Sequence, residues 1–120
     1  MLTVGSNTET LHRVGYPDSS DEGFARELCP HMPIDPGIVR AVRVLVEAGI
    51  ETYESCEGGE GHAFLEPTVR FYGGQHEGWR ALAAVQVYRL PVYALRRFWS
   101  IEDLEPVGPN WELTFRPLAG

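Results

Sequence analysis

The chain contains no lysine; all ten of its basic residues are arginine. Seventeen acidic residues outnumber them, and the formal net charge is −7. That balance argues against duplex nucleic acid as a partner, because such binding draws on a basic footprint. Long apolar runs are missing too: none reaches the roughly 18 residues that a membrane-crossing helix needs. The start, Met1-Leu2-Thr3-Val4-Gly5-Ser6-Asn7, lacks the basic region and apolar stretch of a secretory signal, so a cytoplasmic protein is expected. Cysteine is scarce, with only Cys29 and Cys56. In a cytosolic chain two such cysteines are free thiols or metal ligands rather than a disulfide framework.

What remains is ordinary for one domain. The chain has 120 residues, of which 43% are hydrophobic, enough for one core. Residues 1–20 carry scattered polar side chains and turn formers and read as an irregular N-terminal segment. Residues 21–120 read as a single α+β domain. Asp21 is placed to cap a short helix through Leu28. Pro30 and Pro33 make an extended connector of Cys29-Pro30-His31-Met32-Pro33. Asp35 then stands as a helix cap with Pro36 in the first turn. Ile38, Ala41, Val42, Leu45 and Val46 form an apolar stripe at helical spacing, and Gly49 is placed to end the helix in a left-handed conformation.

Strands are expected over 50–55, 67–72, 92–101 and 111–116, with a second helix over about 76–89. Trp79, Leu82 and Val85 are expected on that helix's inner face. The segment 102–110, with Pro106, Gly108 and Pro109, reads as a loop. The order helix-strand-strand-helix-strand-strand predicts a mainly antiparallel four-stranded sheet with both helices on one face.

This order gathers chemistry at one end. A helix of about 13 residues and a strand of about six are each roughly 20 Å long. Gly49 reverses the chain between them, so Ser55 and Cys56 should return beside Asp35. The connector carrying Cys29 and His31 enters at the same end. The loop Glu54-Ser55-Cys56-Glu57-Gly58-Gly59-Glu60-Gly61-His62 therefore faces a helix start.

Three chemistries suit that end. A small polar or nucleotide-like ligand would use backbone N–H groups of Gly58 and Gly59, the partial positive charge of the helix start near Asp35, and contacts from Glu54, Ser55, Cys56 and His62. Arg70, on the strand leaving the loop, would supply a cation. The seven glutamates from Glu47 to Glu77 oppose a phosphate, and no lysine follows the glycines as in a phosphate-binding Walker loop. Zinc is the second chemistry: Cys29, His31, Cys56 and His62 are four ligands of suitable type, although their spacing fits no standard pattern. The third is a reactive Cys56 thiol with His62 as base, for which no orienting group is identifiable. A solvated, purely structural hairpin loop is the plain alternative to all three.

The Asp35-Pro36-Gly37-Ile38 helix start and the Ser55-Cys56-Glu57-Gly58-Gly59-Glu60-Gly61-His62 loop resemble those of a set of small uncharacterised bacteriophage and prophage proteins. The resemblance spans about residues 35–116 and implies a phage accessory protein without assigning a chemistry. The leading expectation is thus a non-enzymatic binding module for a small polar ligand. The alternatives are an acidic inhibitor that docks on a basic protein partner through Glu51, Glu54, Glu57, Glu60 and Glu66, and a small zinc-stabilised domain.

Overall fold

In the computed structural model, which describes residues 20–28 and 34–118, three helices and four strands follow in the order α1 (Asp21–Leu28), α2 (Val39–Glu47), β1 (Thr52–Cys56), β2 (Thr68–Phe71), α3 (Gln75–Val87), β3 (Val92–Glu102) and β4 (Glu105–Phe115). The strands form one antiparallel sheet in the order β1-β2-β4-β3. This is the expected α+β layer pair. No described helix is long and apolar enough to cross a membrane. The irregular reading of residues 1–19 and the 29–33 connector, with Cys29 and His31, lie outside the described residues.

Period-two alternation sorts the sheet. Val69, Phe71, Leu113 and Phe115 have no exposed surface, and they join Ile38, Ala41, Val42 and Leu45 of the α2 region and Ala81 and Val85 of α3 in one core. Burying such aliphatic and aromatic side chains stabilises by about 1.5–3 kcal/mol each, which is why the helical stripe and the alternating strands lock together.

Both long helices end alike. After α2 the Ile50 amide donates to the Leu45 carbonyl and the Gly49 amide to Val46, with Gly49 at φ 85°. After α3 the Leu90 amide donates to Val85 and the Arg89 amide to Gln86, with Arg89 at φ 58°. Each is a Schellman ending that turns the chain directly into a strand. The second uses arginine where glycine is preferred.

Several expectations are corrected. Asp21 does not cap α1: the Gly23 amide donates to Ser20 Oγ at 3.0 Å, and the Asp21 carboxylate pairs with Arg43 instead. Asp35 does not cap α2, which begins at Val39 without a side-chain cap, after a turn in which the Ile38 amide donates to the Asp35 carbonyl. Trp79 is 62% exposed. The inner face of α3 is instead opened at Gly78, where an added Cβ would lie 2.6 Å from the Trp111 ring. That ring is held by its indole N–H, which faces the Gly73 and Gly74 carbonyls. The expected 102–110 loop is strand: β3 and β4 form a long hairpin, turned at Asp103 and Leu104, both at positive φ. Pro106, Gly108 and Pro109 are tolerated because, among the described residues, this outer half of β4 pairs with β3 alone.

A ladder of alternating charge crosses all four strands on the sheet face opposite the helices. Glu54, Arg70, Glu112 and Arg96 are successive cross-strand partners. Arg70 Nε donates to Glu112 at 3.0 Å and its Nη1 to Glu54 at 3.3 Å, and Arg96 also pairs with Glu112. The guanidinium of Arg70 also lies over the rings of Phe64 and Phe98, at 4.8 and 4.4 Å from their centroids.

Candidate functional site: the Asp35–Cys56–His62 corner

The Gly49 reversal carries β1 back along α2 and delivers Cys56 to the turn that begins at Asp35. Cys56 is the last residue of β1 and is buried. Its Sγ accepts from the Gly58 amide at 3.4 Å. Two reciprocal contacts then latch the loop to the turn. The Glu57 amide donates to Asp35 Oδ2 at 3.2 Å, and the Gly37 amide donates to Glu57 Oε1 at 2.8 Å. Gly37 is needed for that approach, since an added Cβ would sit 2.7 Å from Glu57 Oε1.

The loop beyond is shaped by Gly58, Gly59 and Gly61, all at positive φ. The Gly59 amide donates to the Leu65 carbonyl and the His62 amide to the Gly59 carbonyl, so the loop folds on itself and turns the His62 imidazole back towards the latch. His62 Nδ1 lies 3.8 Å from Asp35 Oδ2, and Nε2 lies 3.6 Å from Glu57 Oε2. The imidazole is therefore aimed between two carboxylates at ion-pair distance, beyond the usual N–H···O range. One donor atom each from Asp35, Cys56 and His62 lies within 4.8 Å of the other two.

No protein-family model, no curated protein and no solved structure matches this chain. The corner must be read from its own chemistry. Asp35, Cys56, Gly58, Gly59 and His62 come together as the geometry of helix and return strand requires. The amides of Gly58 and Gly59 are both taken by groups of the loop itself, and the Gly37 amide at the approach to α2 is taken by Glu57. A resident carboxylate thus occupies the place expected for an anionic ligand. Glu54 and Arg70 pair with each other on the charge ladder, and the Arg70 guanidinium also lies against the rings of Phe64 and Phe98. Ser55 lies opposite Val69 in the sheet register and, by strand alternation, points away from Cys56.

The role of Glu57 was not visible in the sequence. It reads there as one more glutamate of an acidic stretch, and its bond to Gly37 joins residues twenty positions apart. Asp35 was singled out for a different reason, as a helix cap, and serves the corner through the same carboxylate.

Among the described residues, Asp35, Cys56 and His62 are the group able to hold a metal ion. Sulfur, imidazole nitrogen and carboxylate oxygen are the ordinary ligands of zinc, with bonds of about 2.0–2.3 Å, so tetrahedral ligands stand roughly 3.3–3.8 Å apart. A contraction of about 1 Å from the observed spacing is within the reach of side-chain rotation.

Proposed function

We propose that the protein is a small metal-dependent binding module, in which Asp35, Cys56 and His62 hold a zinc-class divalent cation. Three protein ligands leave one tetrahedral position open, and that position takes an oxygen or nitrogen donor of a small polar ligand. The observation that carries the reading is the clustering of three chemically distinct donor atoms within 4.8 Å, contributed by a turn, a strand end and a loop. The polar-ligand part is supported by the state of the backbone: the Gly37, Gly58 and Gly59 amides are already bonded within the protein, so the loop's own amides offer no anion site and a bound cation would supply the positive charge there. A net charge of −7 raises the local concentration of cations rather than anions. On the resemblance of the Asp35–Ile38 and Ser55–His62 segments, we assign the module to phage accessory proteins acting in the host cytoplasm.

The test uses untagged protein. Elemental analysis should find about one equivalent of zinc, and substitution by cobalt(II) should give the visible absorption of a thiolate-ligated tetrahedral ion. Cys56→Ser and His62→Ala should lose both signals while remaining folded by circular dichroism, whereas Arg70→Ala should keep them. Absence of bound metal in the wild type, or a cobalt spectrum unchanged by His62→Ala, refutes the proposal.

A further inference from the structure

We propose that the free edge of β3 is the seam of a symmetric dimer in which two copies of this chain pair their β3 strands antiparallel about Trp99. Among the described residues only β4 pairs with β3, which leaves its other side as an open edge. Natural edge strands are kept apart by charged side chains, proline, bulges or short length. From Ala94 to Glu102 this strand has no proline and no bulge of its own, and its charges, Arg96, Arg97 and Glu102, are of both signs. Its extra residue is Tyr93, and the irregularity near Phe98 adds its residue on β4, at Gly108–Pro109.

The strand is self-complementary in charge. With Trp99 on the two-fold axis, Arg96 falls opposite the partner's Glu102, and the same pair recurs at the other end of the seam. Phe98 then faces the partner's Ser100, and Arg97 faces the partner's Ile101. Alternation puts Arg96 and Glu102 on one face, with Trp99 and Ile101 on the other. One side of the seam thus carries the Arg96–Glu102 pairs with Phe98 and Ser100, and the other carries Trp99 and Ile101 with Arg97, whose guanidinium lies over the Trp111 ring at 4.8 Å. Trp99 is 57% exposed and Ile101 69%, both at odds with a solvated edge. Glu102 also lies directly opposite Glu105 within its own hairpin, beside Asp103, a like-charge pairing that destabilises a sheet. A guanidinium from the second copy relieves it. Arg96 is able to serve two carboxylates: its side chain is 59% exposed although it pairs with Glu112, and a guanidinium carries five N–H donors.

Sedimentation equilibrium of the untagged chain, from low micromolar to several hundred micromolar, tests this. The wild type should pass from monomer to dimer over that range. Trp99→Lys and Glu102→Arg should each remain monomeric at the highest concentration, with unchanged circular dichroism. Both changes lie on exposed positions, and Glu102→Arg sets an arginine opposite Glu105, so neither threatens the fold. A wild type that stays monomeric throughout, including one that captures a different protein through Trp99, overturns the proposal. So does a dimer that survives either substitution.

Discussion

Gly58 and Gly61 share a φ of 85° but not their surroundings, and the contrast makes a sharp experiment. A Cβ at Gly61 would meet nothing within 4 Å, whereas one at Gly58 would lie 2.5 Å from the Glu66 carbonyl carbon and 2.6 Å from the Pro67 nitrogen. Gly61→Ala therefore carries only the left-handed backbone penalty of about 1–2 kcal/mol, reduced by about 0.4–1 kcal/mol because alanine also restricts the unfolded chain. Gly58→Ala carries the same terms and a clash with backbone, which no side-chain rotation relieves. Carbon–carbon contacts settle near 3.5–4.0 Å, so the Glu66–Pro67 backbone must move by about 1 Å, at an overpacking penalty of about 1–3 kcal/mol. At about 4–8 °C per kcal/mol for a domain of this size, Gly58→Ala should melt roughly 4–24 °C below Gly61→Ala. Because the displaced backbone closes the loop that carries His62, Gly58→Ala should also weaken zinc binding, while Gly61→Ala leaves it near wild type. Differential scanning calorimetry and a zinc titration on the two variants decide the matter. Equal melting temperatures would show that the loop yields freely at Glu66, and the account of how it is held would be wrong.

Three further outcomes follow from the sheet and the helix ends. Glu112→Gln removes the buried carboxylate between Arg70 and Arg96. Breaking a fully buried ion pair costs about 3–5 kcal/mol, but Arg96 is largely solvated, so about 1–3 kcal/mol is expected by urea denaturation, and a loss below measurement would reduce the ladder to decoration. Arg89→Gly relieves a left-handed arginine and should stabilise by about 0.5–1 kcal/mol; a lower melting temperature would show that the arginine side chain contributes more than its backbone loses. Burial raises the Tyr53 hydroxyl above its ordinary value, with smaller contributions from Arg70, which lowers it, and Glu54, which raises it. The unfolded chain releases that proton first, so stability is intact below about pH 10 and falls as pH rises through it. Tyr53→Phe should flatten that fall, and an unchanged alkaline slope would remove Tyr53 as its source.

The layer pair was readable because local signals agreed with the global arrangement. The stripe from Ile38 to Val46, the Gly49 stop and the alternation at Val69–Phe71 and Trp111–Phe115 each name one element, and their order leaves few topologies. The hairpin arm was not readable. Pro106, Gly108 and Pro109 are loop residues by composition, and they are acceptable in a strand because the outer half of β4 has no second neighbour among the described residues. Trp79 misled for a related reason: aromatic residues are usually buried, but Trp111 fills the space over Gly78 that an inner Trp79 would need. Convergence at the corner followed from chain geometry, although α2 is shorter than the helix that the sequence suggests. The turn before Val39 makes up the length. What no local pattern encodes is the latch between Asp35 and Glu57, because both halves depend on two separate segments arriving together.

The latch also bears on the proposed cation site. The amide that a helix approach would offer to a phosphate is bonded to Glu57, and the two glycine amides behind it are bonded within the loop. These contacts hold Asp35, Cys56 and Glu57 in place without any help from His62. The imidazole, by contrast, stands near two carboxylates and hydrogen-bonds neither. Under the proposed reading, a divalent metal, which takes sulfur, nitrogen and oxygen ligands together, draws that imidazole in. Folding and binding are thereby separable in this corner. The fold should survive loss of His62, which enters the latch through no side-chain hydrogen bond, while metal affinity should not.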